Sequence, residues 1–180
     1  MANNTRKSER TATDMDLGSR VSERVQIQNV HLLETRVKRG SLRDKPPPHL
    51  HINVNVTTQI DETKLLVLVR PFLTVVARYD DATDSEETLR IDAVFNLTYK
   101  LSSSDGLDKD NYVAFGKTNG LYNAWPFMRE YVQAMTLRLG LPPLTIPVLP
   151  PNIPYTPVSA SKRTKSKKTR KPSSETKRNK

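Results

Sequence analysis

TLRIDAVFNLTYKL, residues 88–101, is the stretch that decides the fold of this 180-residue chain. Its residues at every second position are apolar, while those between are mostly polar; the apolar set is Leu89, Ile91, Ala93, Phe95, Leu97 and Tyr99. A period of two is typical of a β-strand that buries one face. The stretch therefore predicts a sheet with one face against a core.

Three more strand-like segments precede this stretch, at residues 25–39, 49–58 and 64–79. The first loses its alternation near Leu32 and Leu33, where we expect a bulge or a bend. The second alternates most cleanly, with one apolar face formed by Leu50, Ile52, Val54 and Val56. The third contains Pro71, which favours an edge position or a bulge. No helical pattern separates the four strands, so we predict an antiparallel sheet.

The period becomes helical after the fourth strand. Residues 112–117 predict a short helix that ends at the Asn119 and Gly120 pair. A longer helix is expected to begin near Asn123, with Pro126 in its first turn, and to end at Gly140. Its apolar stripe consists of Leu121, Trp125, Met128, Tyr131, Val132, Met135 and Leu139. The predicted fold class is α+β: a four-stranded antiparallel sheet followed by two helices, with a helical turn or two possible from about Asp14.

The positive charge is concentrated at the C-terminal end. Residues 160–180 contain ten Lys or Arg against one acid, whereas the other 159 residues hold nineteen basic and eighteen acidic groups. We expect a disordered N-terminus over residues 1–14, one domain over 15–151, and a Pro-rich spacer with a disordered basic tail over 152–180. The tail would either bind phosphate or acidic partners or keep the chain soluble.

Composition also limits the location of the chain. It has no cysteine, which excludes disulfides and thiol chemistry. No apolar stretch approaches the roughly 18 to 20 residues needed to cross a bilayer. The first sixteen residues lack the apolar core of a secretory signal. The expectation is a cytoplasmic protein.

No pattern indicates catalysis, a cofactor or a metal. His49 and His51 share a strand face, but two ligands do not make a metal site and no pattern completes them. The acidic stretch at residues 80–87 lacks the spacing of a calcium loop. The glycines form no phosphate-binding motif. We therefore expect no enzyme activity and no bound cofactor.

The number of apolar residues in the strands indicates a binding surface. The second to fourth strands carry more large aliphatic side chains than one helix of about sixteen residues can cover. Such an excess predicts self-association or an apolar surface for a partner.

Residues 121–151 resemble the long helix and exit loop of SecB-type chaperones. The resemblance rests on WPFMRE at residues 125–130 and GLPPL at residues 140–144, and VQIQNV at residues 25–30 is similar to the opening strand of that family. The order of four strands, a short helix and a long helix agrees too. The resemblance spans residues 25 to 151.

The resemblance implies an ATP-independent holding chaperone that binds non-native polypeptides in apolar grooves and takes part in protein export. It also implies a homotetramer built as a dimer of dimers. The prolines of residues 140–158 would keep apolar side chains extended and displayed. We expect the client surface to include Leu42, Leu50, Ile52, Val54, Leu141, Leu144, Ile146 and Val148.

Docking of the export motor SecA is implied as well, on the acids Glu34, Asp80, Asp81, Asp84, Glu86 and Glu87. Two features depart from the family pattern: Lys38 stands where a second acid of the first strand would fall, and proline and a basic tail replace the final helix. One alternative is a branch of the family that serves an antitoxin of a toxin–antitoxin system without SecA. A second alternative is nucleic-acid binding through the basic tail, although the domain lacks a basic stripe with interleaved aromatics.

Overall fold

The computed structural model of the chain describes residues 13–41, 47, 49–80 and 86–149. These residues form eight helices and strands. The elements are α1 (Asp14–Ser22), β1 (Val25–Arg39), β2 (His49–Asp61), β3 (Leu66–Arg78), β4 (Glu87–Leu101), α2 (Lys109–Phe115), a π-helix (Gly116–Gly120) and α3 (Leu121–Arg138). The expected tails, apart from the start of α1, lie outside the described residues, as do Leu42, Asp81 and Asp84. None of the described helices is long and apolar enough to cross a bilayer.

The four strands form one antiparallel sheet in the order β1-β4-β3-β2, which confirms the predicted fold class. Strand β3 is central, so the edge position expected from Pro71 is wrong. Pro71 is opposite Val56 of β2, and the β3–β4 pairing passes from Val69 to Phe72 without a change of register. The β3–β4 hydrogen-bond ladder thus has a local gap at Pro71, which has no N–H to donate.

Each central strand divides its side chains between an inner sheet face, which the helices cover, and an outer sheet face. The alternating residues of β4 from Leu89 to Tyr99 are all buried on the inner face, as predicted. The Tyr99 and Phe115 rings meet edge to face with centroids 5.0 Å apart. Burial raises the pKa of the Tyr99 phenol, and a hydrogen bond from Asn123 Nδ2 partly offsets this. The core therefore lies between the sheet and α2–α3.

Strand β1 is an irregular edge. Its register with β4 shifts between Ile27 and Asn29 and again between Leu32 and Glu34, which confirms the bulge expected near Leu32 and Leu33. Most of its fifteen residues are exposed. Bulges of this kind twist an edge strand and interrupt its pairing.

The helical region is continuous, which corrects two expectations. The chain does not stop at Gly120 but passes through the π-helix into α3, and Pro126 lies inside α3 rather than in its first turn. Gly116 and Gly120 lie so close to the sheet that a side chain would not fit at either position. A Cβ at Gly116 would lie 2.0 Å from Thr58 Oγ1, and one at Gly120 would lie 2.8 Å from Val69 Cγ1. The glycines act here by lacking a side chain rather than by ending a helix.

Candidate functional site

Helix α3 ends in a tight reversal that starts the candidate site. Gly140 has φ +69°, its N–H donates to the Leu137 carbonyl at 2.9 Å, and the Leu141 N–H donates to the Thr136 carbonyl at 3.0 Å. This is the Schellman arrangement, and it confirms the predicted end of the helix at Gly140. Arg39 Nη1 of β1 donates to the Leu139 carbonyl, so the end of α3 is also tied to the sheet edge.

The exit segment, residues 141–149, returns along α3 and is held by three side chains of that helix. Thr136 Oγ1 accepts from the Leu144 N–H at 3.0 Å. Arg129 Nε donates to the Ile146 carbonyl at 3.0 Å, and Trp125 Nε1 donates to the Pro147 carbonyl at 3.0 Å. Because the bonded positions descend the helix as the segment advances, the two run in opposite directions.

Proline keeps this segment extended without joining the sheet. Pro142, Pro143 and Pro147 have no N–H to donate to a β-ladder. Side chains of the helix bind three of its backbone groups, the Leu144 N–H and the Ile146 and Pro147 carbonyls, and the apolar side chains divide between core and surface. The outcome is an extended chain fixed on a helix rather than a free linker.

The structure separates the residues expected in the exit segment. Leu141 and Leu144 are partly buried against the core, and Val148 is 71% exposed. Ile146 is fully buried and offers no surface in the single chain. Leu149, which was expected to be displayed with the other apolar side chains of this proline-rich stretch, is buried too. Three of the four expected positions in this segment thus present apolar atoms to solvent.

The expected positions on β2 lie on the inner face of that edge strand. Leu50 is 39% exposed, while Ile52 and Val54 are partly buried against the core that also contacts Leu141 and Leu144. Strand β2 pairs with β3 alone, so its other edge is unpaired within the described sheet. We call the six partly or fully exposed residues the apolar rim: Leu50, Ile52, Val54, Leu141, Leu144 and Val148.

Sequence reasoning missed an exposed side of α3 that carries two large apolar residues among polar ones. Asn123, Phe127, Glu130, Ala134 and Leu137 follow one another at spacings of four, three, four and three, and Phe127 and Leu137 are among the exposed large apolar residues. Residues at such spacings lie on one side of a helix. The spacing was visible in the sequence, but the longer stripe that enters the core concealed it.

The expected SecA-docking acids are in different environments. Glu34, Asp80 and Glu86 are exposed. Glu87 is partly buried, and its Oε1 accepts from Arg78 Nη2 at 3.2 Å and from Arg90 Nη1 at 3.0 Å. Its charge is therefore largely balanced inside the chain.

The outward side chains of β2 do not form a metal centre. His49 and His51 are on the outer sheet face, opposite Arg78 and Val76 in the register. Within the described ranges, no group of three His, Asp or Glu is close enough to hold a metal ion. The site consists of apolar side chains and backbone hydrogen bonds.

Comparisons with known proteins agree with this geometry. No family model matches the chain. Two curated relatives, the SecB-like chaperones Rv1957 and MT2006 from two strains of Mycobacterium tuberculosis, are each 27% identical over 167 aligned residues, covering 81% of this chain and 91% of the relative. Neither name indicates a catalytic family.

Similarity extends to a solved structure, that of the Mycobacterium tuberculosis Rv1957 SecB-like chaperone in complex with a ChAD peptide from the Rv1956 HigA1 antitoxin. The TM-score is 0.66 at 24% identity, and the match covers 76% of this chain and 98% of that one. The resemblance read from the helix and its proline-rich exit is confirmed in sequence by the relatives and in fold by this structure.

Proposed function

We propose that this chain, which is SecB-like in sequence and in fold, is an ATP-independent chaperone that holds non-native polypeptides on the apolar rim. The carrying observation is the rim itself: Ile52 and Val54 of β2 and Leu141 and Leu144 of the exit segment pack against one hydrophobic core and stay partly exposed, and Leu50 and Val148 are exposed on the same two segments. Holding requires no catalytic group and no nucleotide. Absence of cysteine suits a reducing cytoplasm, where we place this activity.

The energetics of the rim fit transient binding. Complete burial of one Val or Leu side chain contributes roughly 1.5 to 3 kcal/mol, and the partly covered residues contribute less. A client that covers the six rim residues would gain several kcal/mol before it loses conformational entropy. A dissociation constant near about 1 μM corresponds to roughly 8 kcal/mol. The rim therefore supports binding that is reversible and tolerant of sequence.

The way the rim is held also suits a holding chaperone. Trp125, Arg129 and Thr136 fix the exit segment before a client arrives, so its ordering does not weaken client binding. The prolines leave few donors with which this segment could template strands from other chains. Such a surface stays apolar without becoming a site of aggregation.

Self-association belongs to the same proposal. Strand β1 has one unpaired edge within the described sheet, and α3 carries the exposed side with Phe127 and Leu137. Pairing along β1 and packing through α3 would give the homotetramer, a dimer of dimers, that the resemblance implies. Strand β1 lies at the opposite edge of the sheet from the rim residues of β2.

A single antitoxin client is the second candidate. The observation that favours it is the solved SecB-like chaperone bound to an antitoxin peptide, at a TM-score of 0.66 to this chain. A general export role through SecA would rest on the exposed acids Glu34, Asp80 and Glu86, because Glu87 is already paired with Arg78 and Arg90. In both roles the client would occupy the rim.

Suppression of aggregation tests the proposal. The full chain is added to a chemically denatured model protein during dilution, and light scattering is followed. Val148→Asp and Leu50→Asp should each weaken suppression severalfold, because a charge in a rim contact remains desolvated. Met15→Asp is the matched control, since Met15 is a similarly exposed apolar residue on α1.

Two results would contradict the proposal. One is suppression that the rim variants leave unchanged. The other is a chain that lacks holding activity but binds DNA with a steep salt dependence, as the basic-tail alternative requires. A version truncated after Val158 separates the two functions, because it retains the rim and lacks residues 160–180.

A further inference from the structure

The outer sheet face is open across the described strands, because α2, the π-helix and α3 all pack on the inner face. Its central aromatic residue is Phe72, which is 40% exposed although β3 is an interior strand. Phe72 is opposite Val94 of β4. An exposed phenylalanine at the middle of a sheet face is a feature that folding alone does not require.

A shallow pocket of about 250 Å³ lies beside this phenylalanine. Glu34, Thr35, Arg36, Phe72, Asp92 and Val94 line it. Its volume falls below the roughly 300 to 1,000 Å³ of small-molecule sites. It suits one apolar side chain of a partner, the kind of anchor that dominates many protein interfaces.

Two of the three acids on this part of the face are occupied by hydrogen bonds within the chain, and the third, Glu34, is exposed in the pocket lining. Asp92 accepts from Arg90 Nε at 2.7 Å and from Thr74 Oγ1 at 2.9 Å. Glu87 accepts from Arg78 and from Arg90. These two carboxylates are thus poor sites for a basic partner, because a new cation would have to compete with bonds already formed.

Cations exceed anions around the pocket. Six basic residues on the outer face of β1, β3 and β4 accompany three acids there: Arg36, Lys38, Arg70, Arg78, Arg90 and Lys100 against Glu34, Glu87 and Asp92. Arg36 and Lys38 are exposed on β1, opposite Asp92 and Arg90 in the register. The exposed charges of this face are therefore net positive, beside a pocket in which Phe72 and Val94 are the apolar lining residues and Glu34, Thr35, Arg36 and Asp92 the polar ones.

We propose that the outer sheet face docks an acidic segment of a partner polypeptide, with one large apolar side chain in the pocket between Phe72 and Val94 and flanking carboxylates at Arg36 and Lys38. A second copy of this chain fits less well, because two such faces would bring like charges together. Nucleic acid fits less well too: on the described strands Phe72 is the one exposed aromatic of this face, and single strands bind by stacking on several.

This docking site is separate from the apolar rim and does not depend on the proposed chaperone activity. The rim residues of β2 point to the inner face, whereas Phe72 and Arg36 belong to the outer face. A partner could therefore bind the outer face while a client occupies the rim.

The test uses fluorescein-labelled peptides of about nine residues with the full chain, followed by fluorescence anisotropy. The probe has a central phenylalanine between acidic residues. One control peptide has lysines in place of the acids, and another has serine in place of the phenylalanine. We expect the probe to bind, the two controls to bind at least about tenfold more weakly, and the affinity of the probe to fall as salt rises.

Variants then locate the binding. The double variant Arg36→Glu and Lys38→Glu should weaken probe binding about tenfold or more, and Phe72→Ala should weaken it severalfold. Lys64→Glu is the matched charge control, because Lys64 is exposed in the β2–β3 turn. Val148→Asp tests the rim. Both of these variants should bind the probe as the unaltered chain does.

Any of four results would overturn the proposal. The first is failure of the probe to bind at about 1 mM, and the second is tighter binding of the lysine peptide. The third is probe binding that the double variant leaves unchanged. The fourth is displacement of the probe by single-stranded oligothymidine, together with loss of oligothymidine binding in the double variant. The third result would assign the probe to the basic residues 160–180 instead.

Discussion

Thr136 offers the sharpest test of how the exit segment is held. Its side chain is buried, its Oγ1 accepts from the Leu144 N–H at 3.0 Å, and the same hydroxyl donates to the Val132 carbonyl at 3.1 Å or to the Gln133 carbonyl at 2.9 Å. Thr136→Val keeps the shape of the side chain and removes the hydroxyl. The Leu144 N–H is then left without its acceptor in a partly buried position.

The expected magnitude follows from that single group. Leaving one buried donor unsatisfied costs about 1 to 3 kcal/mol, and partial access of water to Leu144 places the cost at the lower end. We expect the free energy of unfolding to fall by about 1 to 2 kcal/mol. Loss of the hydroxyl also removes its hydrogen bond to the Val132 or Gln133 carbonyl. This costs little, because both carbonyls lie inside α3 and accept backbone hydrogen bonds of the helix.

Two measurements follow the change. Urea unfolding can be monitored by the emission of Trp125, the single tryptophan, whose Nε1 is bonded to the exit segment at Pro147. Hydrogen exchange should show faster exchange of the Leu144 amide. Thr136→Ser is the control, since it retains the hydroxyl and should keep the slow exchange. An unchanged exchange rate of the Leu144 amide in Thr136→Val, with Thr136→Ser equally stable, would show that the hydroxyl does not hold the exit segment.

Three further predictions concern other parts of the molecule. Gly116→Ala should lower the free energy of unfolding by about 1 to 3 kcal/mol in urea titrations, because its Cβ would lie 2.0 Å from Thr58 Oγ1. Leu137→Asp should reduce the mass found by sedimentation, since it places a charge in the exposed side of α3; an unchanged mass would contradict packing through that side. A side-chain hydrogen bond from Thr13 lowers the pKa of Asp16. Ionised Asp16 therefore stabilises α1 fully at pH values above the ordinary carboxyl pKa of 3.8, and this stabilisation is lost as the pH falls below that value. Hydrogen exchange in α1 should show the loss, and Asp16→Asn should remove this pH dependence.

The sheet could be predicted closely because its signal is local. Inner-face burial requires apolar side chains at every second position, so the strand from residue 88 to residue 101 carries its own face assignment. The end of α3 was equally local, since Gly140 adopts a positive φ that few other residues tolerate. Both features depend on neighbours within a few residues.

Features that depend on distant partners could not be predicted in the same way. Pro71 lies in a central strand because the pairing passes over it, which its own neighbours do not indicate. Gly116 and Gly120 read as a helix stop, yet their role is contact with Thr58 and Val69 across the core. In the sequence, Ile146 cannot be distinguished from the other apolar residues of the exit segment. In the structure its side chain is buried and its carbonyl accepts a hydrogen bond from Arg129. Tertiary contacts decide these positions.

Site-specific crosslinking shows where on the chain a denatured protein is held. A photoreactive amino acid is placed at position 148, in the apolar rim, or at position 15, an exposed apolar position on α1, and the chain is irradiated with a denatured model protein. The account predicts abundant crosslinks from position 148 to the denatured protein, few from position 15, and few from either position to the same protein when folded. Equal crosslinking from the two positions would contradict the claim that the rim holds clients.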